Sequence, residues 1–296
     1  MEKTGSILDP KALAKLSSLT LIARTVVEGF ISGLHRSLHK GASVEFSEHR
    51  EYTPGDDPRY LDWKVYGRTD RLYIKDFREE TNLKSYILLD ASNSMKYGGE
   101  LRKLDYAIFL AASLGYLMVR QKDAVGLVVF DSRVRKFIKP SATTNHFHFL
   151  IENLKNVEPG ERTALGEVLH HAATHVRRRG LIILISDLFD EPEQVMKGLS
   201  HFKHKHHEVI VFHVLDRKES EFPFEGYRDF VDMETGERVP ADAFAVRNAY
   251  RHVFREFLSY YQRNCADANM SYARAFTDEP FDRFLYRYLT ARSKYT

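Results

Sequence analysis

An α/β fold with a doubly wound, mostly parallel sheet and helices on both faces is predicted by three features of the sequence. From about residue 81 onward, strand-length apolar runs alternate with helix-length amphipathic stretches, the order a parallel sheet requires. Two of those runs, Leu181-Ile182-Ile183-Leu184-Ile185 and Val209-Ile210-Val211-Phe212-His213-Val214, lack polar alternation, so helices must cover both of their faces. The composition, 43% hydrophobic and 29% charged over 296 residues with 9 Pro and 16 Gly, suits a large packed core and excludes disordered and collagen-like chains.

Taken in order, residues 9–40 carry Leu13, Leu16, Leu19, Ile22, Val26, Phe30 and Leu34 at helical spacing, with Asp9-Pro10 as cap and first turn and Gly41 as stop. Residues 45–52 read as a strand, Thr53-Pro54-Gly55-Asp56-Asp57-Pro58 as a turn, and residues 72–77 alternate again. The sheet then follows as a strand at 86–90, a helix at 104–120, strands at 125–130 and 134–138, and a helix at 165–178. The buried strand at 181–185, a helix at 191–204 and the strand at 209–214 come next. Residues 217–240 interrupt the period with a hairpin turned at Gly236, an insertion. A helix at 244–269, a strand at 271–276 and a closing helix at 280–292 complete the pattern. The expected organisation is a helix and strand segment, residues 1–80, packed on a main domain of residues 81–296.

With 44 basic and 41 acidic side chains, the net charge of +3 provides no electrostatic footprint for nucleic acid. A lone Cys265 excludes an internal disulfide and any Cys-pair zinc or iron-sulfur site. The longest apolar stretch, residues 107–119, is too short for the roughly 18 residues a membrane span needs. The amino terminus does not read as a signal peptide. A soluble, cytoplasmic protein is expected.

The chemistry concentrates in Asp90-Ala91-Ser92-Asn93-Ser94, directly after the first core strand, where the loops of an open sheet line its ligand crevice. A carboxylate and two hydroxyls at alternate positions can turn three oxygens to one point, as a hard cation such as magnesium requires. Thr163, just before a helix, and Asp187, at the end of a buried strand, would add two more oxygens. The competing reading makes Asp90, Ser92, Thr163 and Asp187 helix caps, with no metal.

The five positions resemble the metal-ion-dependent adhesion site of the von Willebrand factor A domain, with its Asp-x-Ser-x-Ser, loop Thr and strand-end Asp. The resemblance implies a Mg2+ site formed by Asp90, Ser92, Ser94, Thr163 and Asp187. Its sixth position is left to water or to a partner's carboxylate, and Mn2+ or Ca2+ would suit the same oxygens. Upstream, Tyr52-Thr53-Pro54-Gly55-Asp56-Asp57-Pro58-Arg59-Tyr60-Leu61-Asp62-Trp63 is similar to a bacterial family catalogued as domain of unknown function fifty-eight. The similarity continues through Lys75-Asp76-Phe77 and Glu234-Thr235-Gly236-Glu237. Members of that family are commonly encoded beside MoxR-type AAA+ ATPases, which implies a partner role in chaperone-like or complex-assembly work. Many of them carry transmembrane helices ahead of this segment, and here none is found.

Within the upstream segment, Arg50, Asp56, Asp57, Arg59, Asp62 and Trp63 are candidates for a structural clasp or for partner contacts. His201, His204, His206 and His207 sit where a helix end favours cations. Glu167, His171 and His175 share a helical face but lack further ligands for zinc. No phosphate loop, dinucleotide fingerprint, His-Glu-x-x-His or nucleophile elbow occurs. A protein-binding module is therefore expected, with a MoxR-type ATPase or its client as partner. The alternative is a single-metal hydrolase of a phosphoester, with Asp131 or His170 as base.

Overall fold

The computed structural model describes residue 13 and residues 18–38, 50–51, 66–68, 70–74, 84–160, 162, 164–176 and 178–292. Two compact units divide the chain, one made of residues 1–33 and 83–296, the other of residues 34–82.

The larger unit is organised by a six-stranded sheet. Its strands are β3 (Lys84–Asp90), β4 (Ala124–Phe130), β5 (Val134–Ser141), β6 (Leu181–Ser186), β7 (Glu208–Leu215) and β10 (Ser271–Phe276), in the spatial order β10-β7-β6-β3-β4-β5. Every neighbouring pair is parallel except β4 with β5, which a tight turn joins as an antiparallel edge. The chain thus winds outward from β3 to one edge, then returns to place β6 on its other side. The winding reverses between β3 and β6, which is where an open α/β sheet forms its crevice. This confirms the doubly wound, mostly parallel α/β fold expected from the sequence.

All six residues of β6 are buried, as are the last seven of β7. Helices cover both faces: α2 (Lys103–Arg120), α3 (Thr144–Lys155), α4 (Leu165–His175), α5 (Pro192–His204), α7 (Ala243–Asp267) and α8 (Phe281–Arg292). Each buried Val, Leu or Ile of such a strand contributes about 1.5–3 kcal/mol relative to exposure, so the uninterrupted apolar runs are the principal stabilising elements. Helices α4 and α5 meet closely because Gly166 and Gly198 face one another; a Cβ on Gly198 would lie 2.9 Å from the Gly166 carbonyl oxygen.

Two helices depart from the sequence reading. Helix α3, absent from it, is capped by Thr143, which accepts from the His146 amide, and buries Phe147, Leu150, Ile151 and Leu154 at helical spacing. The five-residue α6 (Arg217–Glu221) is nucleated by a capping box between Asp216 and Glu219. The insertion forms the expected hairpin, β8 (Tyr227–Val231) with β9 (Arg238–Asp242), turned with Gly236 at φ +74°. Helix α1 (Leu19–Leu38) buries Leu19, Ile22, Ala23, Val26 and Val27 along one face. Among the described residues no helix is long and apolar enough to cross a membrane.

In the smaller unit, β1 (Arg50–Glu51) pairs antiparallel with β2 (Tyr73–Ile74). The remainder of the strand expected at 45–52 lies outside the described residues.

Candidate metal and partner site

The register of β3 against β6 places Asp90 beside the end of β6, so that the Asp90 loop and Ser186-Asp187 share the crevice. Asp90, Ser92, Ser186 and Asp187 are fully buried, and Ser94 nearly so. The loop is shaped by its own polar groups. The Ser92 amide donates to Asp90 Oδ1 at 2.9 Å, and Ser186 Oγ donates to Asp90 Oδ2 at 2.6 Å. The Ser92 and Ser94 hydroxyl oxygens stand 3.1 Å apart. The Gly160 amide donates to the Ala91 carbonyl at 2.6 Å, which brings the chain leading to Thr163 against this loop; Thr163 itself lies outside the described residues.

None of these groups caps the long helices. Helix α2 starts at Arg102, boxed with Asp105, and α4 and α5 start at Ala164 and Glu191 without a side-chain cap. Asp190 accepts from the Gly166 amide in the first turn of α4. The helix-cap reading thus leaves the burial of Asp90 and Asp187 unexplained.

Behind the loop lies a feature the sequence reading missed. Lys103, fully buried in the first turn of α2, donates to Asp187 Oδ2 at 2.7 Å and to Glu219 Oε1 at 2.6 Å. Its ammonium also lies 4.8 Å from the centre of the Phe189 ring. Burial pulls this lysine's pKa down, but the Asp187 and Glu219 carboxylates outweigh it and hold the group charged. Burial, and after it the charge of Asp187, push Asp90 up to about 7. Asp187 and Glu219 share the one ammonium and Asp90 feels the charge of Asp187, so ionising all three would leave more buried negative charge than Lys103 balances.

That deficit, with an all-oxygen donor set of carboxylate and paired hydroxyls, fits a hard divalent cation. Asp90, Ser92 and Ser94 would hold it, with Asp187 supplying charge from beside Lys103. Among the described residues no three of His, Cys, Asp and Glu form a metal-holding group by themselves, so the serine hydroxyls are integral to the fit.

A second unforeseen contributor is the hairpin. Glu234 Oε1 accepts from the Ser94 amide at 2.9 Å, and the Asn93 side-chain amide donates to the Met233 carbonyl. No local motif announces contacts spanning 140 residues. Lys103 did leave a trace, since it shares a helical face with Ala107 and Ala111, both buried.

The other candidates are placed elsewhere. Arg50 pairs across β1 and β2, opposite Ile74, while Asp56, Asp57, Arg59, Asp62 and Trp63 lie outside the described residues. His175 Nδ1 lies 3.0 Å from the His171 carbonyl oxygen, and His201 and His204 belong to the last turn of α5. His207 is buried, and its Nδ1 accepts from the Gly180 amide.

The uncharacterized protein Mb1516 of Mycobacterium bovis is 29% identical over 236 residues, 78% of this chain and 74% of that protein. The uncharacterized protein Rv1480 of Mycobacterium tuberculosis matches with the same figures. Similar solved structures include the conserved hypothetical protein BatB from Bacteroides thetaiotaomicron, with TM-score 0.49 and 20% identity over 72% of this chain and 99% of that one. An aerotolerance-related membrane protein from Bacteroides fragilis has TM-score 0.48 and 19% identity over 70% of this chain and 99% of its own. The family described as protein of unknown function DUF58 matches residues 48–257, and the chain belongs to it.

Proposed function

We propose that the chain is a metal-dependent protein-interaction module whose partner is a MoxR-type AAA+ ATPase or that ATPase's client, in a chaperone-like or complex-assembly role. The observation that carries this reading is the pair of buried carboxylates, Asp90 and Asp187, at the switch point beside two hydroxyl oxygens 3.1 Å apart. Asp90, Ser92 and Ser94 would hold the ion, Thr163 is the further oxygen the motif assigns, and Asp187 would add the second carboxylate. When bound, Mg2+ supplies a localised positive charge with an open position that an acidic side chain of the partner fills. Lys103 fixes Asp187 and Glu219 behind the loop, so the oxygens stay oriented before any ligand arrives.

The reading is of a binding protein, not an enzyme. Of the two bases proposed for a hydrolytic alternative, Asp131 pairs with Arg135 at 3.8 Å and accepts from the Arg133 amide, and His170 packs against His201 on exposed helix surface.

Isothermal titration of chelator-stripped protein with Mg2+ and Mn2+ tests the reading, beside Asp90→Ala and Asp187→Ala variants checked for folding by circular dichroism. One site, lost in both variants, is expected, followed by metal-dependent capture of the ATPase without phosphoester turnover. A folded wild-type protein that binds neither ion refutes the metal site; turnover abolished by Asp90→Ala would establish the hydrolase instead.

A further inference from the structure

The hairpin tip brings a carboxylate to the mouth of the Asp90 loop. Its base is anchored by aromatic packing, with Phe230 against Phe222 and Phe224 at centroid distances of 5.3 and 5.9 Å. Its flanks are open, with Tyr227 77% exposed and Val239 54% exposed. The tip is prefolded: Asp232 Oδ1 accepts from the Glu234 amide at 2.7 Å and the Thr235 amide at 2.9 Å, and the Gly236 amide donates to the Asp232 carbonyl. From this turn, Glu234 reaches the Ser94 amide and the Met233 carbonyl meets Asn93, both inside the Asp90 loop. Asn93 Oδ1 is buried there without a hydrogen-bond partner among the described residues. The tip is thus tied to the Asp90 loop at two points, the Ser94 amide and the Asn93 side chain, and this sets a carboxylate at the loop's mouth.

We propose that Glu234 is the site's resident carboxylate: the hairpin tip holds the place taken by an acidic turn of the partner, which binds by displacing it. The inference rests on the reading of the Asp90 loop as a metal-assisted carboxylate receptor. It adds the form of the partner's ligand, an acidic turn similar to Asp232-Met233-Glu234-Thr235-Gly236, and a built-in competitor that keeps the site closed. A tethered tip competes at an effective concentration on the order of millimolar, so only a partner presenting several contacts or a tighter turn opens the site.

The test titrates the full chain with Mn2+, and then with a synthetic peptide of residues 231–238. Wild-type protein is expected to bind Mn2+ but take up the peptide only weakly. Glu234→Gln, checked for folding, should bind the peptide at least about tenfold more tightly, and only with Mn2+ present. A peptide with Gln in place of the glutamate corresponding to Glu234 should not bind. Asn93→Ala, which leaves every carboxylate in place but unties the tip, should likewise tighten peptide binding. If all three proteins bind Mn2+ and take up the peptide equally, the resident-carboxylate inference is overturned while the metal site stands. If none binds Mn2+, the underlying reading and the inference fall together.

Discussion

Replacing Lys103 with methionine preserves the length and most of the volume of the side chain but removes the ammonium that Asp187 and Glu219 share. Both carboxylates would remain fully or almost fully buried, and the ammonium that balances them would be gone. Removing one member of a buried ion pair generally costs about 3–5 kcal/mol, because the partner keeps its desolvation penalty and loses its attraction. The Lys103 contacts belong at that scale, since both are short, fully desolvated and charge-assisted. A domain of this size loses about 2–4 °C in melting temperature per kcal/mol, so Lys103→Met should melt roughly 6–20 °C below the wild type. Circular dichroism in chelator at pH 7.5 reports the melting of the sheet. The double variant Lys103→Met/Glu219→Gln should recover part of the loss by removing one stranded charge. A Lys103→Met protein within about 1 kcal/mol of wild type, the range of an exposed pair, would show that the ammonium does not carry the buried cluster.

Three further outcomes follow from the geometry. Gly198→Ala gains up to about 1 kcal/mol in helix propensity, but its Cβ would sit 2.8 Å from Leu169 Cβ and 2.9 Å from the Gly166 carbonyl; urea unfolding should show a net loss of about 1–2 kcal/mol, and a stabilised variant would contradict the close approach of α4 and α5. Cys265 is fully buried and its thiol is pushed up to about 12 by burial, so a disulfide reagent at pH 8 should modify it only upon unfolding, and rapid native labelling would refute that burial. His207 is held neutral by burial, and its Nδ1 must keep its lone pair to accept from the Gly180 amide, so its folded pKa lies below the ordinary value. The unfolded chain therefore binds more protons in the window between the two values, and stability should fall as pH drops through it. His207→Asn, which retains an acceptor, should flatten this acid slope; an unchanged slope would assign it to other groups.

The fold was legible where burial wrote itself into the sequence. The uninterrupted runs at 181–185 and 209–214 became β6 and β7, and the strand at 271–276 became β10 without adjustment. Helix α3 was equally legible in Phe147, Leu150, Ile151 and Leu154, whose spacing fits a helix as well as any stretch that was recognised. The site was legible only in part. Asp-x-Ser-x-Ser is a local pattern, and its neighbours on the strand ends follow from sheet topology. Lys103, Glu219 and Glu234 are brought in by helix packing, by a five-residue capped turn and by a hairpin 140 residues from its contact, and no sequence window contains all three.

Those three residues also explain why the crevice cannot be understood as packing alone. A core selected for stability would place apolar groups at Lys103, Asp187 and Glu219, because well-packed hydrophobic substitutes for a buried ionic cluster are commonly neutral or stabilising by about 1–4 kcal/mol. Here the ionic cluster adjoins Asp90, whose own carboxylate is driven towards its neutral form by burial and by Asp187. The cluster therefore lowers stability at the one position where the winding of the sheet reverses. Such a cost, concentrated at a crevice, is what the proposed cation site predicts, because an entering cation would relieve it. Two contacts bracket the crevice: Lys103 holds Asp187 and Glu219 from behind, and Glu234 rests on the Ser94 amide in front. A ligand that satisfies the site must thus both supply positive charge to the interior and compete with a carboxylate at the mouth, and a divalent ion joined to an acidic partner segment meets both conditions.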